Sequence, residues 1–139
     1  MHTVMERTTT AEDIQQFINT HPYADEFIID EDALTADGAS VEAFKAYLDR
    51  KLLHDGVEKI EDDNRVVYGM RTSISQVAME GLGFNCDELE WQPWFRRYFS
   101  SVTSYEPGFG GEDIFQSLDE WDAQGWSRIH ATDDFFPKN

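Results

Sequence analysis

A chain of 139 residues is long enough for one domain with its own buried core, and its 28 acidic against 11 basic side chains leave a formal charge of -17. A field of that sign repels nucleic acid and anionic membrane, which excludes direct binding to either as the expected role, and it attracts cationic partners. An aromatic content of 14% separates the chain from disordered acidic segments, which are poor in such residues.

The first helix is expected to open in Thr8-Thr9-Thr10, where Thr9 and Glu12 fit a capping box, and to bury Ile14, Phe17 and Ile18 before Pro22 ends it. Phe27-Ile28-Ile29 reads as a short buried strand running into Asp30-Glu31-Asp32, and Leu34 to Ala39 reads as a turn. Ser40 caps a second helix to about Leu53, with Phe44, Tyr47, Leu48 and Leu52 on its inner face. Val57 to Ile60 and Arg65 to Met70 flank the polar Glu61-Asp62-Asp63-Asn64 as a hairpin. Ser73 and Gln76 form a further capping box for a helix that carries Ile74, Val77, Ala78 and Leu82 and stops at Gly83.

The richest apolar stretch follows. Pro93 suits a first helical turn, and Trp91, Trp94, Phe95, Tyr98 and Phe99 then share one face of a helix from about Gln92 to Val102. Tyr105 to Gly111, rich in glycine and proline, reads as a loop. A last helix spans about Glu112 to Gln124 with Ile114, Phe115, Leu118 and Trp121 inward, followed by a terminal strand at Trp126 to Ile129 and a docking tail at Asp133 to Pro137. The expected fold is α+β: four to five helices packed on a small antiparallel sheet around an aromatic-rich core, residues 1–139 forming one acidic domain.

Catalytic motifs are scarce. The hydrophobic strand ending in Asp30-Glu31 is the arrangement by which phosphate-binding ATPases hold magnesium, but no G-x-x-x-x-G-K-[ST] cradle accompanies it. Counted from Asp30 as a calcium loop, positions 5, 6 and 12 fall on Leu34, Thr35 and Val41, none of which fits. His2, His21, His54 and His130 are scattered without zinc spacing. Cys86 sits beside Asp87 and Glu88, which disfavour a thiolate, and Ser73 and Ser75 lie in no nucleophile elbow. No cofactor and no metal site are expected. A lone cysteine admits no intrachain disulfide and suits a reducing, cytoplasmic compartment, and the opening residues resemble no leader.

The charge carries the functional reading. Residues 1–40 hold nine acids and one base and residues 112–139 seven and two, against seven and six in residues 41–72. The expected role is a non-enzymatic inhibitor whose carboxylates occupy the basic cleft of a nucleic-acid-processing protein, as a nucleic-acid mimic. Phage anti-restriction or anti-CRISPR proteins and nuclease immunity proteins share this size and charge, although no motif carries a resemblance to any of them. The expected contacts are Asp25, Glu26, Asp30, Glu31 and Asp32, with Asp62 and Asp63 at the hairpin tip and Asp119, Glu120 and Asp122 on the last helix. The alternative is an assembly module, homodimeric through the aromatic stretch, whose charge serves solubility or a halophilic lifestyle.

Overall fold

A computed structural model describes residues 9–54, 56–71, 76–107 and 110–125, the side chains of 76–81 and 84 excepted. Within these residues six helices pack on a five-stranded antiparallel sheet of order β2-β3-β1-β4-β5. Trp126 to Ile129, the tail at 133–137 and the Ser73 cap lie outside the described residues.

Helix α1 (Ala11–Thr20) is capped one residue later than its sequence suggests. The Thr10 hydroxyl accepts from the Asp13 amide at 3.2 Å and the Asp13 carboxylate accepts from the Thr10 amide at 2.9 Å. Strand β1 (Tyr23–Ile29) starts four residues before the apolar run and lies at the centre of the sheet. The expected turn after it begins as a short helix, α2 (Glu31–Ala36), because the Asp30 carboxylate accepts from the Ala33 amide at 3.0 Å and supplies an N-cap. Helix α3 (Val41–Leu52) follows its Ser40 cap, with Phe44, Tyr47, Leu48 and Leu52 buried. Strands β2 (Val57–Asp62) and β3 (Arg65–Met70) form the hairpin, tightened to a two-residue turn at Asp63 and Asn64.

Helix α4 (Gln76–Glu90) runs past Gly83 instead of stopping there. Leu82, Cys86 and Leu89 sit at i, i+4 and i+7, and their burial outweighs the roughly 1 kcal/mol that an exposed glycine costs inside a helix.

The largest departure from expectation concerns the aromatic stretch. Only a single turn, α5 (Phe95–Tyr98), is helical, and Phe99 already opens strand β4 (Phe99–Glu106). Phe99 and Val102, three apart, share the buried face because the β1–β4 register shifts: Ile28 pairs with Ser101 and Ile29 with Phe99, leaving Ser100 unpaired in a bulge. An extra residue in a strand thus imitates helical spacing. The glycine-rich segment likewise contributes a strand, β5 (Gly110–Asp113), paired with β4, and α6 (Ile114–Ala123) begins after Asp113 caps it through the Phe115 amide at 3.0 Å.

The two faces of the sheet are covered unequally. Among the described residues helix α1 covers one face, its Ile14, Phe17 and Ile18 meeting Ala24, Val67 and Ile60. Gly69 permits the approach, since a Cβ there would lie 2.9 Å from the His21 Cβ and 3.0 Å from the Phe17 ring. Against the other face stands the main core, where Phe44 meets Trp94 edge-on at 5.4 Å and Tyr98 at 5.7 Å, and Phe27 and Phe95 lie 5.1 and 5.2 Å from Phe99. Arg97 grips Asp37 with two bonds of 2.7 Å and the Tyr98 hydroxyl donates to the same carboxylate at 2.8 Å, joining α5 to the end of α2. No helix among the described residues is long and apolar enough to cross a membrane.

Candidate functional site

Strand register sets the site. Lys59, Tyr68, Asp25, Ser104 and Glu112 lie opposite one another on β2, β3, β1, β4 and β5, so a polar rung crosses the whole sheet on the face that carries the main core. One half of the rung is neutralised from α3: Asp49 accepts from Lys59 at 3.0 and 3.1 Å and from the Tyr68 hydroxyl at 2.7 Å. The other half, Asp25-Ser104-Glu112, is met by further acids.

Asp25 is half-buried on the central strand. It accepts from the Cys86 thiol at 3.4 Å and from the Ser104 side chain. Loss of hydration pushes its carboxyl up from 3.8 to about 6; the two hydrogen bonds oppose that rise, and the nearby Asp87 and Glu106 add to it. Asp87, on the exposed side of α4, is pushed up by desolvation as well. Burial first, and the Asp25 charge second, hold the Cys86 thiol well above its ordinary range, so it remains protonated and donates rather than attacking.

Around Asp25 lies a cavity of about 480 Å³ between β1, β4, α4 and α6. Asp87, Glu90, Glu106 and Glu112 line it, together with Tyr23 and Trp121. A second depression of about 570 Å³ adjoins it along the β4–β5 hairpin and α6, sharing Ser104, Glu106 and Glu112 and adding Asp113 and Glu120. Gly111 keeps this hairpin flat, because a Cβ there would come within 2.9 Å of Thr103 and 3.1 Å of the Tyr105 ring. The two depressions form one acidic cleft, and among the described residues no lysine, arginine or histidine lines it. The other described basic side chains are engaged elsewhere: Lys45 with Glu61 at 3.3 Å, Lys51 with Glu88 at 3.4 Å, Arg65 with Glu26, Arg71 with Glu58 at 2.8 Å and Arg96 with Asp119 at 2.7 Å, while Arg50 lies over the Tyr47 ring.

The ten expected contacts distribute over several places. Asp25 and Glu120 belong to the cleft. Glu26, next in sequence to Asp25, points to the opposite face and is buried against Arg65. Asp119 and Asp122 flank Arg96, at 2.7 and 4.0 Å. Asp30, Glu31 and Asp32 gather with Asp62 and Asp63 at the far end of the sheet, because Asn64 joins the hairpin turn to Ile29 by bonds of 2.8 and 3.1 Å. Asp30 there serves as a helix cap and Lys45 donates to the Asp63 carbonyl at 2.6 Å.

Sequence reasoning passed over Asp87, Glu90, Ser104, Glu106, Glu112 and Asp113. The available signal was Asp25 itself: once β1 is extended to Tyr23, Asp25 falls between Tyr23 and Phe27 on the inward-facing alternation, where a carboxylate is out of place. Among the described residues no three His, Cys, Asp or Glu side chains converge closely enough to hold a metal ion. Compared with known proteins, the chain has no significant match to any family model, curated protein or solved structure.

Proposed function

We propose that this protein acts without catalysis, as an acidic binding protein that engages a basic partner through the cleft between α4, the β4–β5 hairpin and α6. Its partner is a nucleic-acid-processing protein, which the carboxylates inhibit by taking the place of phosphates. The observation that carries the reading is the asymmetry of charge among the described residues: the lysines and arginines, Arg50 apart, stand beside carboxylates elsewhere, and Asp25, Asp87, Glu106, Glu112, Asp113 and Glu120 line the cleft with no described lysine or arginine in its wall. An assembly role through aromatic surface draws less support, because Trp94, Phe95, Tyr98 and Phe99 are core and Leu53 is the only large apolar side chain exposed among the described residues.

The test is calorimetric titration with a peptide of alternating lysine and arginine, at low and high salt. Binding is expected to weaken by about tenfold or more as the screening length shortens, and to fall several-fold when Glu106, Glu112 and Glu120 are together changed to Gln. Equal binding by that variant and by a control with Glu31→Gln and Asp32→Asn at the far end of the sheet would overturn the cleft as the interface.

A further inference from the structure

We infer that His21 is a pH-sensitive latch: held as the imidazolium, it ties the end of α1 to the reverse face of the sheet, and loss of one proton loosens that helix. The inference is independent of the acidic cleft.

His21 caps the C-terminal end of α1 and is buried, with 2% of its surface exposed. Its ring stacks on that of Phe17 at 3.7 Å, the planes 10° apart, beside Gly69, which has no side chain to hold the pair off the sheet. Oxygen atoms stand against both ring nitrogens. Nδ1 lies 2.7 Å from the Phe17 carbonyl oxygen and 2.9 Å from the Thr20 hydroxyl, and Nε2 lies 3.0 Å from a Glu58 carboxylate oxygen on β2.

The donor and acceptor roles set the state of the ring. A carbonyl oxygen only accepts, so Nδ1 carries a proton. The Arg71 bond first, and the His21 bond second, hold the Glu58 carboxyl below its ordinary range, so it is ionised and also only accepts. Nε2 therefore carries a proton as well. Either neutral tautomer turns a lone pair toward an oxygen with no proton to give. The Thr20 hydroxyl, with acceptors of its own at 3.1 Å on the Gln16 and Phe17 carbonyls, leaves the clash of an Nδ1 lone pair with the Phe17 oxygen in place.

The charged groups around the ring are Asp13 on α1, Glu58 on β2 and Arg71 beyond β3, and on the same face Glu26 of β1 is paired with Arg65. Strand β4 contributes Tyr105 to this face. Of these side-chain types only imidazole ordinarily changes charge close to neutrality. A bond that the doubly protonated ring alone can make is fully present in mild acid and is lost as the ring gives up a proton at higher pH. Release bares the apolar patch of Ala24, Val67 and Ile60 that α1 covers.

Ring-nitrogen spectra of His21 and amide hydrogen exchange of the full chain, followed from about pH 5 to about pH 9, test the latch. Both nitrogens are expected to read as protonated while α1 is fully protected. As one proton leaves, protection in α1, corrected for the intrinsic exchange rate, should fall about tenfold with the same midpoint. Asp25 titrates on the opposite face within this range, so Glu58→Gln is measured beside the unaltered chain. Its side-chain amide can donate to a neutral Nε2, so α1 should stay protected and its pH dependence should disappear, with Asp25 untouched. A neutral His21 ring under a fully protected α1, two different midpoints, or a pH dependence of α1 that survives Glu58→Gln overturns the latch.

Discussion

The same face of one sheet carries two regions of opposite character. Toward the end of β1 at Ile29, the face is closed by α3 and α5, and Phe27, Phe44, Phe95, Tyr98 and Phe99 fill it with rings that exclude water. Toward Tyr23, under α4 and α6, it stays open over Asp25, Ser104 and Glu112. An aspartate in each region reports the difference. Arg97 and the Tyr98 hydroxyl hold the Asp37 carboxyl down at about 2, whereas desolvation without a cation lifts Asp25 to about 6. One carboxylate is fitted to a cation inside its own fold, and the other has only hydrogen-bond donors and like charges among the groups that shift it.

The comparison is broken most directly by removing a ring from the closed half. Phe44→Ala is expected to cost about 3–5 kcal/mol in denaturant unfolding, a large share of the 5–15 kcal/mol typical of a domain, because Phe44 is fully buried among Tyr47, Trp94, Tyr98 and Phe99. A loss below about 1 kcal/mol would mean that these rings do not form the core.

The open half responds with the opposite sign. With its folded value raised from 3.8 to about 6, Asp25 contributes stability that is fully present below pH 3.8 and is lost as pH rises through 6. Asp25→Asn is therefore expected to stabilise the protein at pH 7.5, by at most about 3 kcal/mol, and to make no difference below pH 3.8. Unfolding curves of both proteins across that range check it.

On the reverse face, Gly69→Ala should cost about 1–3 kcal/mol by pushing α1 away through His21 and Phe17, without altering peptide binding in the cleft. Asp37→Asn sharpens the contrast between the aspartates. The stabilisation from Asp37 is present above pH 3.8 and is lost as pH falls through about 2, so the variant should be the less stable protein at neutral pH and its deficit should vanish in strong acid. The smallest effect on stability belongs to Glu120→Gln, expected within about 0.5 kcal/mol of the unaltered chain, although the same change weakens binding of the basic peptide.

The parts legible in sequence were those fixed by neighbours along the chain. Ser40 and the spacing of Phe44, Tyr47, Leu48 and Leu52 defined α3, and the polar Glu61–Asn64 segment placed the β2–β3 hairpin, because caps, turns and helical faces depend on residues only a few positions apart. The strand β4 was hidden because the bulge at Ser100 gives Phe99 and Val102 the three-residue spacing of a helix. The cleft was hidden for a different reason. Asp25, Cys86, Ser104 and Glu112 meet only through cross-strand register and through the seating of α4, and no local pattern encodes either. Charge per segment located an excess of acid in the chain but said nothing about which carboxylates would find an internal cation.

Amide chemical shifts of the isotopically labelled chain, followed while the peptide of alternating lysine and arginine is added, test the central claim most directly. The largest changes are expected at Asp25, Cys86, Ser104, Glu106 and Glu112 around the open half of the sheet. Changes centred on Glu31, Asp32, Asp62 and Asp63 at the far end, or scattered evenly over the surface, would contradict it.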